Sequence, residues 1–209
     1  NRKALFFNAS KSPKIGARSS RRKLAFEYGG KYYHLEARTN QSLVDYLDDL
    51  PRLSLGTGYV RREISTQAQE SIIEPLKNYA SELNPNQRAP FLLKFVQQAF
   101  RYKTDFENYG YEKYNYPEET LNASFVDCED KSLLLAFLYK EILNVSSVLL
   151  VFHEKKHVSL GVALPGYNNA YSFKYQGENY VSCEPTGVNY PVGRSAIALA
   201  EVDEVIRLY

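Results

Sequence analysis

Residues 151–160 read VFHEKKHVSL, and whether they form a helix or a hairpin decides the fold. His153, Glu154 and His157 carry the spacing H-E-x-x-H, which binds zinc when one helix aims both imidazoles at the same ion. The flanking residues oppose a helix. Val148, Val151, Val158 and Val162 are β-branched, and Val158, Leu160, Val162 and Leu164 alternate with His157, Ser159, Gly161 and Ala163. The segment therefore predicts two antiparallel strands with Glu154, Lys155 and Lys156 at their tip. His34, the other histidine, lies far upstream, so no obvious third ligand completes a zinc site.

Downstream, YSFKY (171–175) and NYVSCE (179–184) continue the period of two and extend the sheet. Upstream the period changes to that of helices. CEDKSLLLAFLYKEIL (128–143) is apolar around most of its circumference, as a buried helix is. Before it, Asn84 and Pro85 open a helix whose apolar positions are Leu92, Phe95, Val96, Ala99 and Phe100. A further helix starts near Gln67, with Ile73, Leu76, Tyr79, Ala80 and Leu83 on one side and Pro75 near its start or at a kink. LAFEYGGKYYHLEA (24–37) predicts a hairpin turning at Gly29-Gly30. Helices followed by a sheet give an α+β fold in which the 128–143 helix packs on an antiparallel sheet.

The 209 residues suffice for a core that needs no disulfide or metal, and no run reaches the ~18 apolar residues of a membrane span. The chain opens on Asn1 without an initiator Met, which reads as a processed or trimmed form. Residues 1–23 hold eight Lys or Arg and no acid, leaving 18 basic and 24 acidic residues in the rest. Such a leader is compatible with nucleic acid or an anionic surface, but its Lys, Arg, Ser and Gly content reads as a solvated, poorly ordered arm. The expected organisation is a leader at 1–23, a β-containing subregion at 24–66 and the main domain at 67–209.

Two cysteines, Cys128 and Cys183, are too few for a disulfide scaffold. Cys128 sits in the first turn of the buried helix, where free N–H groups and the positive end of the helix dipole favour a thiolate and can hold an oxyanion. His157 opens a strand and Glu184 ends another. Thiol, imidazole and carboxylate supply nucleophile, base and the acceptor that orients the base. Asp127, Glu129 and Asp130 oppose the thiolate by charge, and clustered carboxylates also suit calcium. Cys183, adjacent to Glu184 on a strand, points to the opposite face as a buried free thiol. Tyr109, Tyr111, Tyr114 and Tyr116 either wall a groove or pack on the core, and Gln97 and Gln98 lie where an amide can assist an oxyanion hole.

VDCEDKSLLLAFLYKEI (126–142), KHVSLGVAL (156–164) and YVSCEPTG (180–187) resemble, in this order, the nucleophile helix, histidine strand and Asp-Pro-Thr strand of the transglutaminase-like superfamily. The likeness is closest to its bacterial cysteine protease-like members and covers roughly residues 70–193. It implies a papain-like core, Cys128 as nucleophile, His157 as base and then acid, and Glu184 in the place usually held by Asp. It also implies acyl transfer on a peptide or protein substrate in a periplasmic or extracellular setting. No cofactor is required, with calcium at Asp127, Glu129 and Asp130 as the candidate ion. The alternative is a non-catalytic binding or scaffold module on the same fold. Glu184 is one methylene longer than Asp, so reaching the imidazole requires a shift of backbone or rotamer.

Overall fold

The computed structural model describes residues 16, 18–52, 54–62, 64–167 and 171–209. Its first element is a long hairpin, β1 (Ser19–Tyr28) and β2 (Lys31–Asn40). Tyr28 pairs with Lys31 across Gly29 and Gly30, whose φ angles of 61° and 78° are the left-handed values that a two-residue hairpin turn needs. Residues 19–23 thus belong to the hairpin, five residues ahead of the expected boundary, while 1–15 and 17 of the leader lie outside the described residues.

Short helices α1 (Gln41–Asp48) and α2 (Thr57–Val60) follow, neither anticipated from the sequence. The helix predicted from Gln67 is continuous but changes pitch. α3 (Thr66–Ala68) widens into a π turn (Gln69–Ile73) before α4 (Glu74–Ser81). Pro75 has no N–H to return to the preceding turn, which accounts for the wider turn at that point. α5 (Pro85–Ala99) starts where Asn84 and Pro85 place it. The two-residue β3 (Arg101–Tyr102), α6 (Asp105–Asn108), α7 (Pro117–Asn122) and two-residue β4 (Phe125–Val126) lead into α8 (Cys128–Leu138), which ends in a second π turn, Tyr139–Leu143.

The sheet comprises β5 (Ser147–Phe152), β6 (His157–Val162), β7 (Ser172–Tyr175), β8 (Glu178–Cys183) and β9 (Glu204–Arg207), in the order β7-β8-β6-β5-β9. Every pairing is antiparallel, and helices pack on the sheet, so the fold is α+β. β8 pairs directly with β6, which puts β7 at the edge and brings the ends of β6 and β8 together. β9, absent from the sequence reading, completes the other edge.

One hydrophobic core runs from Leu24 to Leu208, so the 24–66 and 67–209 regions share it. Phe26 of β1 meets Phe91 and Phe95 of α5 edge-on at 5.1 and 5.4 Å. α8 lies against α5, α7, β5 and β6 and is buried along nearly its whole length. The central strands are covered on both sides, because Val148, Leu150 and Phe152 form a second cluster with Tyr180. Gly161 of β6 is fitted into that packing: a Cβ there would lie 2.7 Å from the Phe173 ring and 2.9 Å from a Val148 methyl. Gly161→Ala is expected to lower stability by about 1–3 kcal/mol through overpacking, measurable by urea unfolding, with the slope unchanged.

Candidate active site

Asp127 caps α8, its carboxylate accepting from the Asp130 amide at 3.1 Å, and so fixes Cys128 as the first helical residue. Cys128 is nearly enclosed, at 3 % exposure, and its thiol donates to Glu129 Oε2 at 2.9 Å. Burial first and the Glu129 carboxylate second push this thiol far above its ordinary value, while the Val158 backbone hydrogen bond acts in the opposite direction. The acid-rich flank thus opposes the thiolate, in the direction its sequence implies.

His157 opens β6 next to Val158 and turns its Nε2 to Glu184 Oε2 at 2.9 Å. Glu184 is completely buried immediately after β8. Its other oxygen accepts from the Thr186 amide at 3.1 Å and the Thr186 hydroxyl at 2.5 Å. The extra methylene is therefore absorbed where the chain leaves the strand, and Thr186 pins the carboxylate at imidazole reach. With Glu184 as acceptor, Nε2 carries the ring proton and Nδ1 presents the lone pair. The thiol's own hydrogen bond runs to Glu129 rather than to His157.

The neighbouring candidates divide. Gln97 Nε2 donates to the carbonyls of Glu184 and Tyr190, both at 2.8 Å, and Gln98 bonds the Glu27 backbone. Both amides are thus engaged in holding structure and neither is free for an oxyanion. Tyr114 and Tyr116 pack on Tyr59, whereas Tyr111 is exposed beside Tyr109. Cys183 is a buried free thiol 3.9 Å from the Tyr139 hydroxyl. His153 lies at the hairpin tip, its Nε2 3.9 Å from a Glu204 carboxylate oxygen. The H-E-x-x-H residues therefore straddle a turn and do not form the helical face a shared zinc ion requires.

The three acids expected to hold calcium do not gather as one set. Asp130 is turned inward to the Asn115 amide at 2.8 Å and side chain at 2.7 Å, and Glu129 takes the thiol. Asp127 instead meets Asp105 and Glu112, with one carboxylate oxygen of each within 4.8 Å of the others. A helix rotates successive side chains apart, so acids adjacent in sequence separate, while the α6 region supplies the missing partners. Burial, and then its acidic neighbours, raise Asp127 strongly; Asp105 is raised to about 6, chiefly by burial, and Glu112 is raised in the same direction. Crowded, hard oxygen donors of this kind fit calcium.

Sequence reasoning also passed over Tyr102. Register pairs it with Val126, two residues before Cys128, and burial first, then the Cys128, Asp127 and Glu129 charges, raise its hydroxyl. Glu129→Gln removes the charge beside the thiol while retaining an acceptor. Iodoacetamide labelling of Cys128 near neutral pH is expected to quicken about tenfold, and an unchanged rate would show that burial alone holds the proton. Comparison with protein-family models gives no match for this chain, and comparison with curated proteins gives none either.

Proposed function

We propose that the chain is a thiol-dependent acyl-transfer enzyme of papain-like, transglutaminase-like architecture, acting on peptide or amide bonds through Cys128, His157 and Glu184. The observation that carries the reading is the 2.9 Å contact between His157 and a wholly buried Glu184, next to Val158, whose carbonyl accepts from Ser132 one turn after Cys128 on α8. A buried carboxylate held by Thr186 and spent on one imidazole is an orienting group for a base.

In this reading His157 Nδ1 removes the thiol proton as the sulfur attacks the carbonyl carbon. The amide N–H groups at the start of α8 face the developing oxyanion. Collapse breaks the C–N bond, His157 returns the proton to the leaving amine, and a thioester remains on Cys128. Water or a second amine then attacks the thioester, with His157 again as base. Asp105, Glu112 and Asp127 would hold a calcium ion, whose charge offsets the carboxylates that disfavour the thiolate. The enclosed, Glu129-bonded thiol favours a second reading, a non-catalytic module on the same fold.

Iodoacetamide labelling separates the two. The enzyme reading expects Cys128, with calcium present, to react faster near neutral pH than free cysteine does, and a rate at or below that of free cysteine favours the module.

A further inference from the structure

Gln97 lies in the last turn of α5 and is buried. Carbonyls in such a turn have no amide of their own helix left to accept from. That of Gln97 accepts instead from the buried Lys131 ammonium at 3.1 Å, three residues beyond Cys128 on α8. A cation at the carbonyl end of a helix also meets the negative pole of its dipole, which helps to compensate an ammonium enclosed there. The side-chain amide of the same residue donates twice, to the carbonyls of Glu184 and Tyr190 at 2.8 Å each, and so pins both ends of the 184–190 turn. Its Oε1 has no partner among the described residues, so the amide acts as a donor alone. One residue of α5 thus joins the helix that carries Cys128 to the turn that carries Glu184.

The groups that hold Glu184 are not equivalent. Thr186 is two residues along the same turn and moves with it, and His157 is the group being oriented. Of the three, Gln97 alone comes from outside the sheet and its turns. Lys94, three residues earlier on α5, donates to the Val188 carbonyl of the same turn rather than to Glu184. We propose that Gln97 is a positioning residue: its paired amide bonds fix where Glu184 leaves β8, and through that carboxylate they hold the His157 ring in place relative to the Cys128 helix. The inference deepens the acyl-transfer reading and rests on Glu184 as the acceptor for His157.

The test compares Gln97→Met, which keeps the length of the side chain and removes both donors, with Lys94→Met, which frees one carbonyl of the same turn. Two signals are read: the proton NMR resonance of the His157 ring N–H bonded to Glu184, and acylation of Cys128 by p-nitrophenyl acetate. His34 and His153 are exposed, so their ring protons exchange with water and leave the His157 signal alone. Gln97→Met is expected to speed exchange of the His157 proton about tenfold and to slow acylation about tenfold, whereas in Lys94→Met both stay within about twofold of wild type. Should Gln97→Met not fold, Gln97→Glu keeps the shape of the side chain and offers at most one donor, so the same two signals should move in the same directions. Wild-type exchange in the Gln97 variant overturns the proposal, as does the lack of any slowly exchanging His157 proton in the wild type. Equal losses in Lys94→Met also overturn it, because they would mean a general loosening of the turn. Faster exchange with unchanged acylation would leave Gln97 a structural tie only and overturn its positioning role. Failure of the wild type to be acylated at all sinks the acyl-transfer reading itself, and the ring proton, which does not depend on the thiol, still decides whether Gln97 sets Glu184.

Discussion

Glu184→Asp is expected to slow acylation of Cys128 by p-nitrophenyl acetate about a hundredfold, and Glu184→Ala by about a thousandfold or more. Aspartate restores the residue usual in the family this sequence resembles, so the loss runs against what the likeness alone suggests. The reason is local. Glu184 spans from a fixed backbone carbonyl, held by Gln97, to His157 on one oxygen and Thr186 on the other. A carboxylate shorter by a methylene can keep Thr186 or His157 but not both at hydrogen-bond length. Wild-type acylation by Glu184→Asp would mean that the glutamate is not fitted to this backbone, and wild-type acylation by Glu184→Ala would remove the carboxylate from the mechanism.

What the sequence made legible is what depends on local pattern. The period of two across Val158, Leu160 and Val162 places β6, the apolar run after Cys128 places α8, and Gly29-Gly30 places the first turn. Each feature is written in residues next to one another. β9 is four residues with charged ends, too short for a pattern to stand out. The order of β7 and β8 is likewise invisible, because both alternate and only their packing decides which pairs with β6. The candidate site divides the same way. The meeting of His157 with Glu184 follows from elements and chain order, whereas the partnership of Asp127 with Asp105 and Glu112 joins segments that pattern does not link. The burial of Lys131 is hidden for a further reason: a lysine following two acids at a helix start reads as a solvated side chain, and only the packed structure shows it enclosed.

Calcium is expected to raise the melting temperature at pH 8 by about 5–10 °C when present at a hundredfold excess over its dissociation constant. At pH 5 the gain should be less than half as large. The sign follows from the carboxyls beside Cys128. Asp105 is raised to about 6, and Asp127 and Asp130 are raised further, in each case by burial before any neighbouring charge. Groups raised on folding hold their protons longer in the folded than in the unfolded chain. Their contribution to stability is therefore complete below the ordinary carboxylate range and is lost as pH rises through the folded values. In a chelator the protein should accordingly melt at a lower temperature at pH 8 than at pH 5. Calcium replaces those protons as the compensating charge, so its benefit grows over the same interval. Asp105→Asn combined with Glu112→Gln removes two of the three donors without touching Cys128 or its Asp127 cap, and should abolish both the calcium shift and the calcium-dependent part of iodoacetamide labelling. Equal melting temperatures with calcium and with chelator at pH 8 would overturn the assignment. So would a double variant that still responds as wild type does, because the charge beside the thiol would then have to be offset by His157 alone.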